Sequence, residues 1–279
     1  MINDMRRVDL VGASGVGKTT LYNYLDTIPP GERGYLTIRE AYRDAALSQK
    51  ISIRHADLLL FQLLLKSNAT FGKERGIGTV IIRALERKRP ADRNKYNNYS
   101  VSFEILCDHL RKYRNPYLLR KRIRDFLKKA DSWIHMQTYL QDKRLVIMDE
   151  CILHYHSGIG EYGFENYSRE QLAADEAFRP AGIINCTLNA ENVYKQAVKR
   201  KEEGVFTFGH GHLEGEALKK LIKKNIEQNL EKVSGLKEIG VPVLEVNTGD
   251  SPNENADKIK KFILSLSLQA DDGLEKSNS

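Results

Sequence analysis

The chain has 279 residues, is 41% hydrophobic and carries a formal net charge of +7, enough apolar material for one large α/β domain or one domain with an insertion. Its three cysteines, Cys107, Cys151 and Cys186, lack C-x-x-C spacing, which excludes a disulfide scaffold or zinc ribbon and fits a reduced, cytoplasmic setting. The longest apolar run, Leu58 to Leu65, is too short to span a bilayer, and no apolar leader opens the chain, so a soluble protein is expected.

Arg6 to Val11 reads as the first strand. It runs into Gly12-Ala13-Ser14-Gly15-Val16-Gly17-Lys18-Thr19-Thr20, which contains G-x-x-x-x-G-K-T, and an amphipathic helix with Leu21, Tyr24 and Leu25 follows. Glycines at these places let successive backbone N–H groups turn inward around phosphate oxygens, and the helix adds the positive end of its dipole. Lys18 would reach the outer phosphates, and the Thr19 hydroxyl would help to hold Mg²⁺. The plainer reading is a glycine turn whose anion nest holds nothing.

Ile28-Pro29-Pro30-Gly31 ends that helix, and Gly34 to Arg39 reads as a second strand with Glu40 at its carboxyl end. Ligands of open parallel sheets collect at such ends, which puts Glu40 near the phosphates; its other reading is an ordinary first-turn glutamate of the next helix. From Ala41 to Asp142 strand signals almost vanish. Helical spacing is carried by Leu58 to Leu65, Val80 to Leu85, Phe103 to Leu110, Leu118 to Leu127 and Trp133 to Leu140, which predicts a helical insertion over residues 50–142.

The basic charge belongs to this block. Residues 73–129 hold 17 Lys and Arg against 6 Asp and Glu, so the rest of the chain is acidic on balance. Arg111-Lys112-Tyr113-Arg114 and Arg120-Lys121-Arg122-Ile123-Arg124 fit three readings: a surface for nucleic acid or acidic lipid, a pocket for a small anionic or phosphorylated acceptor, or a solvated helix face. Asn94-Lys95-Tyr96-Asn97 lacks the aspartate of a guanine-reading N-K-x-D and follows no strand, so it reads as a loop.

Arg144 to Glu150 is a continuous apolar run ending in the carboxylates Asp149 and Glu150, the pattern of a strand buried on both faces. Gly182 to Thr187 reads as a fourth strand. The helix after it carries Lys195, Lys199, Arg200 and Lys201, and Glu214 to Val233 is a long amphipathic helix. Val241 to Val246 is a fifth strand, which Pro242 places at the edge of the sheet. Asp257 to Leu268 is a final helix, and 269–279 a flexible, solvated tail. The pairs His154-Tyr155-His156 and His210-Gly211-His212 read as polar loop histidines, because nothing in the spacing joins them into a four-ligand zinc site.

This order of parts resembles the P-loop NTPases, and among them the nucleoside and nucleotide kinases. The resemblance rests on Gly12 to Thr20, Glu40 within Thr37-Ile38-Arg39-Glu40, Asp149-Glu150, the basic helix Val193 to Lys201, and Val241 to Asp250, and it spans residues 6–49 and 143–265. It implies a three-layer P-loop NTPase fold, with a mostly parallel five-stranded sheet and a large helical insertion. The nucleotide-binding core would be residues 1–49 and 143–268. Mg²⁺ and ATP would bind at Gly12, Ala13, Ser14, Gly15, Val16, Gly17, Lys18, Thr19 and Thr20, with Thr19 and Asp149 on the metal. Glu40 or Glu150 would act as base, and Lys199 or Arg200 would stabilise transition-state charge. The loop after the last strand would approach the adenine. Asp149-Glu150-Cys151 replaces the family's D-R-Y/F or E-R-S, so the acceptor is undefined, and Lys195 to Gly204 lacks a dense arginine pair. The expected activity is ATP-dependent phosphoryl transfer to a small acceptor. The alternatives are an ATP or GTP hydrolase that uses Glu150 to polarise water and docks a partner on its basic helices, and a binding module with little turnover.

Overall fold

The computed structural model describes residues 6–48, 93–111, 116–149, 152–155, 166–204 and 212–277. The apolar runs become β1 (Arg7–Val11), β2 (Tyr35–Thr37), β3 (Leu145–Met148), β4 (Gly182–Thr187) and β5 (Val243–Asn247). They form one parallel sheet in the order β2-β3-β1-β4-β5. β1 and β3 are buried along their whole lengths; the unbroken apolar run of β3 requires this when helices cover both faces, and in β1 Arg7 and Asp9 are buried as a pair. β5 lies at an edge and is half exposed; Pro242, just before it, lacks an N–H but its carbonyl accepts from Ile183 N at 2.8 Å.

The helices are α1 (Lys18–Thr27), α2 (Ile38–Ser48), α3 (Ser100–Leu110), α4 (Pro116–Tyr139), α5 (Ile152–Tyr155), α6 (Arg169–Ala174), α7 (Ala190–Glu202), α8 (Gly215–Glu238) and α9 (Pro252–Ser277). Strand alternation sorts them into two layers. Val8, Leu10, Ile147, Ile184 and Cys186 face a cluster built with α1, α7 and α9. Val11, Val146, Met148 and Ile183 face the other, built with α2, α3, α4 and α5. α8 serves both, giving Leu218 and Ile222 to the first and Val233 and Leu236 to the second.

Several boundaries differ from the sequence reading. Leu118–Leu127 and Trp133–Leu140 form one 24-residue helix, α4, because no glycine or proline interrupts Lys128 to Ser132 and the buried Phe126, Ala130, Trp133 and Ile134 keep helical spacing throughout. The Asn94 to Asn97 stretch lies in a 3₁₀ helix, Arg93–Tyr99. The last helix runs from Pro252 to Ser277, through most of the stretch expected to be a tail. The expected helices at Leu58–Leu65 and Val80–Leu85 lie outside the described residues.

α3 and α4, the described helices of the basic block, share one core with the sheet. Trp133, Phe126, Ile105 and Leu106 are at most 2% exposed and belong to the same cluster as Val11 and Val146. Each such side chain contributes roughly 1.5–3 kcal/mol by leaving water. At the floor of this layer, Arg7 Nε donates to both oxygens of Asp9 at 3.1 Å, and Arg7 Nη2 donates to Ala177 O at 2.7 Å. The guanidinium also stands 5.6 Å from the Trp133 ring centre. Asp175 accepts from Ser102 N and Ala177 N, both at 2.8 Å, and so pins the start of α3 to the segment before β4; burial pushes its carboxyl above the usual range.

Candidate functional site

The carboxyl ends of β1, β3 and β4 converge. Asp9 pairs with Met148 and Val11 with Asn185, so Asp149 and Gly12 lie just past the ends of β3 and β1, and Cys186, still within β4, stands next to the level of Gly12. Between β1 and α1 the chain turns through Gly12, Gly15 and Gly17 at φ 149°, 90° and 94°, all in the left-handed half of the map where a side chain strains the backbone. Gly12 is also needed for space, since a Cβ there would lie 2.5 Å from Cys186 O.

α1 begins at Gly17 with no side-chain cap, whereas Ser168 caps α6 through a capping box and Asn189 caps α7. The amides opening α1 thus form a helix start with its dipole directed at the loop. Lys18 folds back over that loop. Its Nζ donates to Gly12 O at 2.7 Å and to Ala13 O at 2.9 Å, and only 7% of the residue is exposed. Ala13 and Val16 anchor the loop in the apolar cluster, Ser14 and Gly15 are half-buried, and Thr19 and Thr20 are exposed on the first turn of α1.

Cys186 reports on the neighbourhood. Burial pushes its thiol up to about 12, the positive charge of Lys18 opposes that rise, and the negative charge of Asp149 adds to it. Lys18 and half-buried Asp149 therefore act on a common point beneath the loop. An exposed threonine hydroxyl and a strand-end carboxylate make a hard-oxygen donor set, which suits Mg²⁺, an ion that takes few protein ligands and keeps water and phosphate for the rest. Among the described residues no group of three or more His, Cys, Asp or Glu is placed to hold a metal ion. His212 is exposed, and His156 and His210 lie outside the described residues.

Glu40 is placed elsewhere. β2 stops at Thr37, opposite Ile147 and two residues short of the level of Asp149. Glu40 Oε2 accepts from Thr37 N at 3.0 Å, the reach-back of a third-position glutamate to the residue that starts its helix. Its Oε1 lies 2.5 Å from Arg33 Nη2, and Arg33 in turn donates to Leu25 O, about 10 Å along α1 from Lys18. The structure thus shows the first-turn arrangement that the sequence left open. Lys199 is 75% exposed and lies 3.9 Å from Glu203; Arg200 is half-buried beside it on α7, whose Val193 and Ala197 join the cluster that holds the loop. Glu150 lies outside the described residues.

Two residues escaped sequence reasoning. Thr248, past the end of β5, donates to Val16 O and sits against Gly17, while its amide donates to Thr187 O at 3.0 Å, so it ties β5 and β4 to the glycine loop. Val241 to Asp250 reads as a strand and loop, but nothing in the residues singles out Thr248 as the contact. Lys232 on α8 is buried and donates to Leu153 O at 2.9 Å, bracing the short α5 that follows Asp149.

No family model matches the chain, and no curated protein matches it in sequence. No helix among the described residues is long and apolar enough to cross a membrane.

Proposed function

We propose that the loop from Gly12 to Thr20 is a phosphate-binding loop for Mg-ATP and that the protein is an ATP-dependent phosphotransferase. One observation carries the reading: three positive-φ glycines lead into an uncapped helix whose first residue, Lys18, lays a buried ammonium across the loop carbonyls. A triphosphate presents anionic oxygens to the same ammonium and to the amides opening α1, and charge-assisted hydrogen bonds are stronger than those to neutral carbonyls. The parallel sheet supports the reading by bringing Asp149 to the same edge. Mg²⁺, when bound, neutralises charge on the outer phosphates.

In this proposal Lys18 and the loop amides grip the phosphates, and Thr19 with Asp149 holds the metal. Lys199 and Arg200 are the cations available on α7. Glu40, committed to Arg33 and to the start of α2, is left out of the base role, which falls to Glu150. Calorimetry with Mg-ATP tests the core of the reading. Heat of association is expected, and Lys18→Ala should weaken it about 100-fold with an unchanged circular dichroism spectrum. Equal affinity in the variant overturns the site. Incubation with labelled ATP and pooled metabolites then separates phosphorylated acceptor, the expected product, from free phosphate, the product of a hydrolase.

A further inference from the structure

The exposed cations of α4 lie in one line, with Lys121, Arg122 and Lys129 half-buried beside it. Tyr117, Arg120, Arg124, Leu127 and Lys128 are exposed at three- and four-residue spacing, with Tyr117 at 69% and the Arg124 side chain at 70%. The opposite face, with Phe126, Ala130, Trp133 and Ile134, is packed into the core. α4 leads through Leu140 to Arg144 into β3, so it descends toward the amino end of the sheet, where Trp133 meets Arg7. From Trp133 up to Tyr117 is about 24 Å of helix, against about 17 Å of strand from Arg7 to Gly12. α4 packs on α5, just after Asp149.

We propose that this stripe docks single-stranded nucleic acid, its backbone running along Arg120, Arg124 and Lys128 and a base stacking on Tyr117. Arg120, Arg124 and Lys128 are exposed and roughly 6 Å apart along the helix, with Arg124 3.7 Å from Asp125, an arrangement that tracks an extended polyanion and gives a small anion no enclosure. An exposed aromatic at the end of a line of cations is the recurring chemistry of single-strand binding. A membrane surface fits less well, because the apolar face that would insert is already buried in the core. The surface is independent of the nucleotide reading: Lys18→Ala should leave it intact, so the two proposals fail separately.

The test is fluorescence anisotropy of the full chain with labelled single-stranded RNA and DNA of about 20 nucleotides across a salt series. Binding that weakens with salt is expected. Arg120→Gln/Arg124→Gln/Lys128→Gln should lower affinity at least about tenfold at low salt and reduce the log–log salt slope by about 2. Tyr117→Ala should cost about fivefold or more. A charge-matched control, Lys237→Gln/Lys258→Gln/Lys261→Gln, should stay within about twofold, since non-specific charge alone would weaken both triple variants alike. Absence of binding by the wild-type chain overturns the proposal. So does an equal loss in the control, or tighter binding to duplex or to phosphatidylserine vesicles.

Discussion

Two buried cations bracket the first strand, and they are held in different ways. Arg7, at its amino end, is 2% exposed and meets a carboxylate, a carbonyl and an indole ring, each fixed by a different part of the chain. Lys18, just past the carboxyl end, is 7% exposed and donates to neutral carbonyls of its own loop, contacts that a better acceptor can replace. Burial of a charge is common to both, so burial does not mark function. What separates them is how they are tied in: Arg7 joins three separate elements of its layer, while Lys18 lies across carbonyls of the loop that carries it.

The sharpest way to test that contrast is to remove each cation. Arg7→Met strands Asp9 in the core and should cost about 3–5 kcal/mol in denaturant unfolding, with Arg7→Met/Asp9→Leu recovering much of the loss. Should the single variant unfold with wild-type stability, the Arg7 network is not the anchor described here. Gly12→Ala comes next: strain at φ 149° and the clash with Cys186 O should cost about 2–3 kcal/mol and abolish the calorimetric signal of Mg-ATP. Thr248→Val removes the hydroxyl that joins the last loop to Val16 O, for about 1 kcal/mol, with weaker nucleotide binding as the second readout. A wild-type affinity in that variant would separate the β5 loop from the site.

The smallest effect concerns a partly exposed pair just before β3. Arg144 hydrogen-bonds Asp142 and holds its carboxyl below the usual range. A lowered folded pKa contributes stability that is present above the ordinary carboxylate pKa and is lost as pH falls through the lowered value. Both side chains are partly exposed, so Arg144→Gln should cost at most about 1 kcal/mol at pH 7 and nothing near pH 2. A loss that persists in acid would point to packing of the Arg144 stem instead.

Much of the sheet and of the glycine loop was legible in the residues, because strands, glycine turns and helix stops answer to near neighbours. The continuous apolar run Leu145–Met148 and the edge position announced by Pro242 are cases where local chemistry sufficed. Glu40 shows where it did not: a three-residue strand and an arginine seven positions upstream turned its carboxylate toward Arg33. The joining of Leu118–Leu127 to Trp133–Leu140 brings Phe126 and Trp133 into one core cluster.

By itself the sequence determined where the backbone turns left-handed, which runs are buried on both faces and where the positive charge is concentrated, since each depends on residue type and spacing along a few turns. Only the tertiary structure decided the strand order, the approach of Thr248 to Gly17, and the joint action of Lys18 and Asp149 beneath the loop. Those are meetings of segments 60 or more residues apart, and they are selected by packing of whole layers rather than by any local preference.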